Sequence, residues 1–391
     1  MQRATLQERI GRIMRRAEET KAVSTLRERA QRLGENVALV APHWLEESEA
    51  LCNAADVELW QVLALNSLPL NFWQHAYSPP PYANGAPTSE ALSGESSPAS
   101  RTESECTAFF ALGLATKDGV TLFHKNRDER DEVQWMGTKG LDGCHAWIGG
   151  SDIGHLGIAQ LYASGNWAGA NNSGSQLPPS EYVDCALNDG HVLRYLAEQC
   201  AGLDDILPIM HDLLARQLLG GAGVNVGMIF LFADATRGLA VECTSRRLAH
   251  EWFTGGATGA RTNHFLLPDL QERALPANSG SLRRLERSRA TLKVSKSHIT
   301  QELCHTIACD RAGAPEAGIA RNPLDGLGSI TVSAATAVLS GDGAQSSQMS
   351  FFNGHPGYTP CVSVTSHEQF SKAQWVSGDD NQRWRLQRGT L

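Results

Sequence analysis

The N-terminal residues of the chain alternate charged and apolar positions with the period of an α-helix. Within the charge-rich residues 4–34, the apolar positions near this period are Leu6, Ile10, Ile13 and Met14. The same pattern returns at residues 44–56 and 57–66, so the sequence predicts several short helices. Because each helix has an apolar face that it cannot bury alone, we expect this segment to pack onto the rest of the chain.

Two predicted helices carry groups of arginines, one near the N-terminus and one in the C-terminal half. The first group is Arg9, Arg12, Arg15 and Arg16, and the second is Arg283, Arg284, Arg287 and Arg289. A membrane surface is one candidate partner of the first group, and acidic substrate groups are one candidate partner of the second. Glu18 and Glu19 interrupt the first patch at once. We therefore expect both groups to form solvated helix faces.

The pattern changes at residues 79–105, which are rich in Ser, Pro, Gly and Glu and contain almost nothing apolar. From Cys106 onward, strand-like runs replace the helical ones. The second of these runs closes with the polar cluster Lys125-Asn126-Arg127-Asp128. The sequence therefore predicts a helical segment over residues 1–78, a flexible linker over 79–105 and a strand-rich domain over 106–391.

Further runs of both kinds follow along the chain. Strands are predicted at residues 106–112, 120–124, 146–150, 155–162, 226–232, 239–243, 248–253, 330–339 and 349–352. Helices are predicted at residues 184–200, 203–218, 281–293 and 299–310. Residues 166–174, which are rich in Asn and Gly, are predicted to form a loop at the edge of a pocket.

Several predicted strands are apolar on both faces, such as residues 109–112 and 228–232, and this is typical of strands covered on both sides. Asp118-Gly119 is the signature of a tight hairpin turn and indicates antiparallel strands. Antiparallel sheets covered on both faces need a second sheet on one side and helices on the other. We therefore predict an α+β fold, a four-layer α-β-β-α sandwich. A two-residue turn at Asp118-Gly119 would place Cys106 opposite Asp131 and Phe109 opposite Asp128.

Composition and charge exclude several classes of function. The net charge of −8 argues against a nucleic-acid partner, because phosphate binding needs a basic surface. No stretch has the length and apolarity of a signal-peptide core or of a bilayer span. We therefore expect a cytoplasmic protein without a membrane partner.

Nine cysteines are scattered along the chain, and none form a Cys-x-x-Cys pair. Their odd number and their spacing argue against a disulfide framework or a zinc ribbon. The group Cys304-His305 and Cys309-Asp310 offers metal-ligand side chains, but its flanking pattern is helical. Burial in the core is therefore the preferred interpretation, and we expect no metal and no cofactor.

Cys106 is placed as a nucleophile would be, at the start of a strand directly after a polar linker. If the chain cuts itself before Cys106, the freed α-amine can serve as a base, because its ordinary pKa is about 8. Asp128 lies on the returning strand, near the same end of the hairpin. In the later cluster Arg261-Thr262-Asn263-His264, Asn263 has the amide donor that an oxyanion hole requires.

Each of these residues also has a structural interpretation. Cys106 can be a buried thiol, Asp128 can end a strand or pair with a neighbouring arginine, and Asn263 can be a turn residue. His264 is expected to pack structurally. A papain-like cysteine would open a helix, whereas Cys106 opens a strand.

Three motifs together resemble the acyl-coenzyme A:6-aminopenicillanic acid acyltransferase (isopenicillin N acyltransferase)-like family of N-terminal-nucleophile (Ntn) hydrolases, which is related to choloylglycine and penicillin V hydrolases. The motifs are Cys106-Thr107, Asn126-Arg127-Asp128 and Thr262-Asn263-His264-Phe265. The resemblance spans most of the chain, including the strand at residues 225–234 and a helical pro-segment that ends near Leu65-Asn66. It implies a four-layer Ntn-hydrolase sandwich with an N-terminal helical pro-segment.

The resemblance also implies chemical roles. The chain would cut its own bond between Glu105 and Cys106 and leave a small subunit, residues 1 to about 105, bound non-covalently to the large subunit. Mature Cys106 would be the nucleophile, Asp128 would orient its α-amine, and Asn263 would hold the oxyanion. Candidates for contacts to the substrate or to these groups are Thr107, Lys125, Asn126, Arg127 and His264.

Two positions depart from the family. Glu105 stands where the penicillin-biosynthetic enzyme has glycine, and Lys125 stands where bile-salt hydrolases carry arginine. Neither the efficiency of cleavage nor the recognition of a substrate carboxylate is therefore carried over from those relatives.

The sequence thus predicts a self-processing zymogen of a cysteine amide hydrolase or acyltransferase. It would act on a small-molecule amide or acyl thioester through an acyl-Cys106 intermediate. The alternative is an uncut, non-catalytic binding or scaffold protein with the same fold. Two choices stay open, hydrolysis against acyl transfer and monomer against homo-oligomer.

Overall fold

A computed structural model describes most of the chain. The described residues are 2–67, 106–129, 134–139, 143–164, 166–315, 317–322, 325, 329–341, 347–359 and 361–364. The predicted linker over 79–105 lies outside them, and so does Glu105 at the predicted cleavage site. No helix in these ranges has the length and apolarity needed to cross a bilayer.

The described residues form nine α-helices and thirteen strands. The helices are α1 (Gln2–Glu19), α2 (Val23–Val40), α3 (His43–Ala55), α4 (Leu59–Ser67), α5 (Asp189–Gln199), α6 (Ile206–Ala215), α7 (Pro268–Gln271), α8 (Ser279–Val294) and α9 (Gln301–Ala308). The strands are β1 (Thr107–Ala111), β2 (Thr121–Glu129), β3 (Gln134–Lys139), β4 (Trp147–Asp152), β5 (Gln160–Ala163), β6 (Trp167–Gln176), β7 (Val226–Ala233), β8 (Gly238–Cys243), β9 (Leu248–Phe253), β10 (Thr258–Arg261), β11 (Ile330–Leu339), β12 (Gln348–Phe352) and β13 (Cys361–Val364).

The strands form two antiparallel sheets. The first sheet has the order β10-β1-β2-β11-β12-β13, and the second has the order β3-β4-β5-β6-β7-β8-β9. Facing side chains of the two sheets form one apolar cluster, which includes Phe110 and Phe351 from the first sheet and Ile148 and Leu231 from the second. The two sheets therefore pack face to face around a shared core.

Helices cover the outer face of each sheet. On the first sheet, Leu285 and Leu292 of α8 and Ile307 of α9 pack with Phe109 and Val338. On the second sheet, α5 and α6 contribute Leu196 and Met210 to the cluster that contains Trp167 and Phe232. The order of layers is therefore helix, sheet, sheet, helix. The prediction of an α+β four-layer sandwich is confirmed.

The four N-terminal helices join the outer helical layer of the second sheet. Their apolar residues, among them Leu6, Leu33 and Trp44, belong to the same buried cluster as Trp147 and Trp167 of the sheet. The expectation that this segment packs onto the rest of the chain is confirmed. Its apolar faces are buried against the sandwich and against each other, as the helical spacing of its apolar residues required.

The register of the first hairpin differs from the prediction by four residues. Phe109 pairs with His124 and not with Asp128. A two-residue turn does not form, because β1 and β2 are joined by nine residues that include a 3₁₀ turn. The Thr116 hydroxyl closes this connection by donating to the carbonyl oxygens of Gly113 (2.8 Å) and Val120 (2.7 Å). The chain does turn at residues 117–119, where Gly119 has a positive φ of 72°, but the prediction of a two-residue hairpin turn was wrong.

A second correction concerns residues 166–174, which were predicted to form a loop. They are mostly strand β6, which lies at the centre of the second sheet and pairs with β5 and β7. Gly169 tolerates no Cβ at this position, because the added atom would lie 2.7 Å from the Phe232 ring. The glycine content therefore reflects close packing inside a sheet and not turn chemistry.

Phe110 gives a direct test of the packing between the sheets. Its ring lies over Gly238 of β8 and Gly259 of β10, where an added Cβ would approach the ring to 2.3 and 2.4 Å. We expect Gly238→Ala to lower the free energy of unfolding by about 1–3 kcal/mol, since the enclosed ring cannot move away freely. Urea denaturation followed by circular dichroism measures this change.

The matched control for this substitution is Gly202→Ala. Gly202 has an extended backbone, and no atom lies within 4 Å of its added Cβ. We expect the control to change the free energy of unfolding by less than about 0.5 kcal/mol. Equal effects of Gly238→Ala and Gly202→Ala would contradict the proposed packing of Phe110.

Candidate functional site

Cys106 lies immediately before β1 and is 5% exposed, and it forms no disulfide. In the hairpin register Thr107 pairs with Asn126, so one further step places Cys106 opposite Arg127. The thiol and the Arg127 guanidinium interact electrostatically. The Arg127 guanidinium is therefore the charged group that lies across the strand from the Cys106 thiol.

Arg127 is held by a bidentate ion pair that spans the two sheets. Its Nη1 and Nη2 atoms lie 2.6 and 2.9 Å from Oδ1 and Oδ2 of Asp152, the last residue of β4. Burial alone would raise the pKa of Asp152, but the Arg127 charge and hydrogen bonds outweigh burial and hold this pKa well below its ordinary value. Asp152 therefore stays ionised and fixes the orientation of the guanidinium.

The first helix reaches the same region. Arg9 of α1 is 2% exposed, and it donates to the carbonyl oxygen of Ile153 and approaches Nε2 of His155 (3.3 Å). Burial lowers the pKa of His155 to about 3, so its imidazole is neutral beside Arg9. The expectation of a solvated face was wrong for Arg9, because the loop after β4 supplies acceptors for its guanidinium.

Asp128 is fully buried near the end of β2. The Thr331 hydroxyl donates to its Oδ1 atom (2.7 Å), and its Oδ2 atom has no hydrogen-bond partner among the described residues. Burial raises the pKa of Asp128 to about 7, against the hydrogen bond from Thr331 and the nearby charges of Arg284 and Lys125. The carboxyl group is therefore in a position where one more donor would stabilise its ionised form.

The raised pKa of Asp128 predicts a pH dependence of stability in the uncut chain. Its ordinary pKa is 3.8 and its folded pKa is about 7, so between these values the folded state binds a proton that the unfolded state does not. The free energy of unfolding should therefore fall as pH rises from about 4 to about 7, by an amount on the order of a few kcal/mol. Asp128→Asn should remove this slope.

The measurement is urea denaturation of the Cys106→Ala chain, with and without Asp128→Asn, at several pH values in this window. The background substitution keeps the chain uncut, so no α-ammonium group can lower the pKa of Asp128. If the free energy of unfolding changed with pH in the same way in both proteins, this would contradict a raised pKa for the buried Asp128 carboxyl group.

Asn263 lies on the other side of Cys106. Ala108 pairs with Arg261 of β10, and two further steps in this register place Asn263 opposite Cys106. The Asn263 side chain donates from Nδ2 to the Ser173 carbonyl oxygen (3.0 Å), and its Oδ1 accepts from Nη2 of Arg284 (2.9 Å). The contact to Arg284 fixes which end of the amide is the donor.

Arg284 is therefore part of the site and not of a solvated face. It is fully buried on α8, and the expectation for this residue was wrong. Arg287, three residues on, fits the expectation better, since it pairs with Asp310 and is about one-third exposed. Ser281 lies three residues before Arg284, and Ser288 lies four residues after it, on the same buried face of the helix. These small side chains leave room for the Arg284 side chain.

Lys125 is fully buried between the sheets. Its ammonium group donates to the Asn171 carbonyl oxygen (2.6 Å) and to Oδ1 of Asn172. Asn172 in turn donates from Nδ2 to the carbonyl oxygens of Arg261 and Thr262 (both 3.0 Å). Lys125 thus connects β2 to the segment that carries Asn263, and it contributes a positive charge near Asp128.

Asn126 and His264 lie in the framework around the site. Asn126 lies on the helix-facing side of β2, where it bonds His124 (2.8 Å) and donates to the Ala308 carbonyl oxygen (2.8 Å). His264 bonds Oγ of Ser281 through Nδ1 (2.7 Å). Burial, together with nearby arginines, lowers the pKa of His264 to about 4, so its imidazole is neutral. Both residues therefore fix neighbouring elements.

Thr107 follows Cys106 and points to the helix-facing side of β1. It is fully buried, and its hydroxyl has no hydrogen-bond partner among the described residues. Its cross-strand partner is Asn126, so Asp128, two residues further on β2, lies diagonally across from it on the same face. Two under-bonded polar groups, the Thr107 hydroxyl and Asp128 Oδ2, therefore lie on one face next to the start of β1.

Sequence reasoning missed several residues of this site, namely Arg9, Asp152, Asn172, Asp189 and Arg284. Asp189, in the first turn of α5, interacts electrostatically with Lys125 and Arg127, and burial raises its pKa. A usable signal existed for Asp152, because it is a charged residue two positions after the predicted strand at residues 146–150. Asp189 follows Asn188, an N-cap residue that accepts from the His191 backbone N–H (2.9 Å), so its place on the helix was also readable.

Comparisons with known proteins found no matching family model and no matching curated protein. The solved structures that are similar in part include three from different organisms. A mutant of the conjugated bile acid hydrolase from Clostridium perfringens is 14% identical, with a TM-score of 0.40 over 66% of this chain and 93% of that chain. Penicillin V acylase from Agrobacterium tumefaciens is 10% identical, with a TM-score of 0.45 over 69% of this chain and 89% of that chain. The Caenorhabditis elegans ortholog of N-acylethanolamine-hydrolyzing acid amidase is 11% identical, with a TM-score of 0.39 over 60% of this chain and 92% of that chain. Similarity at this level does not assign the chain to a family.

Proposed function

We propose that this chain is a self-processing cysteine amide hydrolase or acyltransferase with Cys106 as its nucleophile. The observation that supports this most is the buried carboxyl group of Asp128, whose Oδ2 has no hydrogen-bond partner among the described residues. A buried carboxylate oxygen left this way destabilises the fold unless a donor reaches it. The α-ammonium group of a freed Cys106 is a donor of the right charge, one strand position away from Asp128.

Self-processing is the first step of the proposal. The Cys106 thiolate attacks the carbonyl carbon of Glu105, the bond from this carbon to the Cys106 nitrogen breaks, and the nitrogen takes a proton. Water then hydrolyses the thioester, which releases the Glu105 carboxylate and restores the thiol. The products are residues 1–105 and 106–391, and the buried apolar cluster shared by α1–α4 and the second sheet holds them together.

Turnover uses the new amine as the general base. It accepts the proton of the Cys106 thiol, and the thiolate attacks the carbonyl carbon of an amide or thioester substrate. One Nδ2 hydrogen of Asn263 is bound to Ser173, and we assign the other to the oxyanion of the tetrahedral intermediate. The leaving group takes a proton from the ammonium group, and the acyl-Cys106 thioester then passes its acyl group to water or to an amine.

The surrounding charges act on the nucleophile and on its base. Arg127 stabilises the Cys106 thiolate, and the Asp152 carboxylate keeps the guanidinium in place. Asp128 holds the α-amine in the orientation for proton transfer. Arg284 fixes the Asn263 amide through its oxygen, so the donor is already aligned before the substrate arrives. Acyl transfer by these groups uses side chains and the chain terminus alone.

The proposed function is tested by trapping the acyl-enzyme. The protein is mixed with a panel of small N-acyl amides and acyl thioesters, quenched in acid, and measured by intact mass and peptide mapping. We expect the acyl group on Cys106 for at least one member of the panel, and the same adduct in the Cys361→Ala control, since Cys361 is exposed on β13. Substrate turnover with the acyl group on another residue would contradict the assignment.

A further inference from the structure

A second cluster of polar side chains lies where the N-terminal helices meet the sandwich. His43 is the first residue of α3, Glu198 lies on α5, and Cys144 precedes β4. One ligand atom from each of the three lies within 4.8 Å of the others. Trp147, at this end of β4, and Asp152, at the proposed active site, are separated by about 17 Å of strand, so the two clusters are distinct.

We propose that His43, Cys144 and Glu198 bind a zinc ion. Imidazole nitrogen, thiolate sulfur and carboxylate oxygen are the three kinds of protein ligand that zinc accepts in tetrahedral sites. The thiolate and imidazole disfavour magnesium and calcium, which prefer oxygen ligands alone. Three ligands from three different elements leave the fourth position for a water molecule. The Cys304 and Cys309 group considered from the sequence differs, because Cys304 is buried in the apolar cluster under the first sheet.

The Glu198 carboxylate is already oriented for this role. The Trp44 indole N–H donates to its Oε2 (2.8 Å), and Arg194 donates from Nε to its Oε1 (2.9 Å). His43 Nε2 lies 2.8 Å from the same Oε2. Carboxylates that bind metals are usually held by such outer hydrogen bonds, which fix the position of the oxygen. Zinc bound between them would replace the direct contact of His43 with Glu198.

Carboxylates outnumber the guanidinium that contacts Glu198. Arg194 also pairs with Glu47 (2.5 Å), so one guanidinium faces the carboxylates of both Glu47 and Glu198. Cys144 would bind zinc as a thiolate, which places a further negative charge beside the cation. Arg194 therefore does not exclude the cation, because the carboxylates of Glu47 and Glu198 outnumber it.

The site offers the ion a route of entry. Glu198 is 1% exposed and forms the buried side of the cluster, while the His43 side chain is 26% exposed and Cys144 is half-buried. Zinc bound here would join α3 of the N-terminal segment to α5 and to the segment before β4. If the chain is cut before Cys106, as proposed above, the ion becomes a link between the two products. The binding itself does not depend on the cut.

The experiment is a zinc titration of the full chain against a chromogenic zinc chelator. We expect one zinc ion per chain, and a loss of affinity of at least about 100-fold in His43→Ala and in Cys144→Ser. Two matched controls, Cys361→Ser and Cys309→Ser, should bind as the unchanged protein does. Cys309 is the stricter control, because its sulfur lies 3.5 Å from Nε2 of His305 and forms a rival pair. Absence of binding, or its loss in Cys309→Ser, would overturn the proposal.

A second measurement needs no substitution and therefore holds if a variant fails to fold. The unchanged protein is treated with iodoacetamide with and without zinc, and the alkylation of each cysteine is followed by peptide mass mapping. We expect zinc to slow the alkylation of Cys144 by at least about 10-fold and to leave that of exposed Cys361 unchanged. Equal rates at Cys144 with and without zinc would overturn the proposal.

Discussion

Replacing Cys106 with alanine should give one uncut chain and lower amide turnover by at least about 10³-fold, because the variant loses both the attacking sulfur and the attack that frees the amine. The uncut chain should have the full mass of 42.3 kDa. The fold should persist, since the small alanine side chain fits the position at the start of β1. Intact mass spectrometry and a turnover assay on the substrate identified by acyl trapping provide the two readouts.

Two controls separate a chemical loss from a structural one. The circular dichroism spectrum and thermal unfolding of Cys106→Ala should be close to those of the unchanged protein before it is cut. Cys361→Ala should cut itself and turn over substrate at the rate of the unchanged protein. Cys106→Ser adds a third comparison, because its hydroxyl can attack but is a weaker nucleophile than a thiolate. Cleavage in Cys106→Ala at the rate of the unchanged protein would assign the reaction to another residue.

Replacing Asp152 with alanine should have the largest effect on stability. It leaves the Arg127 guanidinium, whose side chain is only 12% exposed, without the Asp152 carboxylate, and breaking a largely buried pair in this way costs up to about 3–5 kcal/mol. Urea denaturation of the full chain measures the change. We also expect turnover to fall in any folded fraction, since the guanidinium that faces Cys106 loses its fixed orientation.

The double variant Arg127→Leu with Asp152→Ala is compared with the single variant Asp152→Ala. Removing both charges should recover part of the lost stability, because the Arg127 charge no longer stays between the sheets without Asp152, yet it should not recover activity. Asp204→Ala provides the surface control, since the Asp204 side chain that pairs with Arg237 is 75% exposed and its loss should change neither property measurably. A small effect of Asp152→Ala on stability would contradict a strong ion pair between Arg127 and Asp152.

The sequence pattern predicted the layers of the fold well, because burial on both faces leaves a clear trace in composition. The strands at residues 248–253 and 330–339 agree with β9 and β11 to the residue. The hairpin register was not predictable in this way. Asp118-Gly119 looks like a complete two-residue turn, and only the hydrogen bonds of Thr116 in three dimensions show that the connection is longer.

The candidate site was predictable in part, and the missing residues share a physical cause. Cys106 and Asp128 were singled out because their residue types carry chemistry next to predicted strands, and Asn263 was singled out for its amide donor; their roles in the reaction stay predictions. Arg9 and Arg284 were assigned to solvated faces, because a charged residue on a helix is usually exposed. Their burial depends on acceptors that come from distant parts of the chain, the Ile153 carbonyl oxygen for one and Asn263 for the other. Local sequence does not encode such partners.

The central claim is that a new chain terminus at Cys106 creates the base of the reaction. The measurement that tests it most directly is N-terminal sequencing, combined with intact mass, of the purified protein in the state that turns over substrate. We predict two polypeptides, one of which begins with Cys106 and is followed by Thr107. A single polypeptide of 42.3 kDa that turns over substrate would contradict the account, and an inert one would favour a binding or scaffold protein.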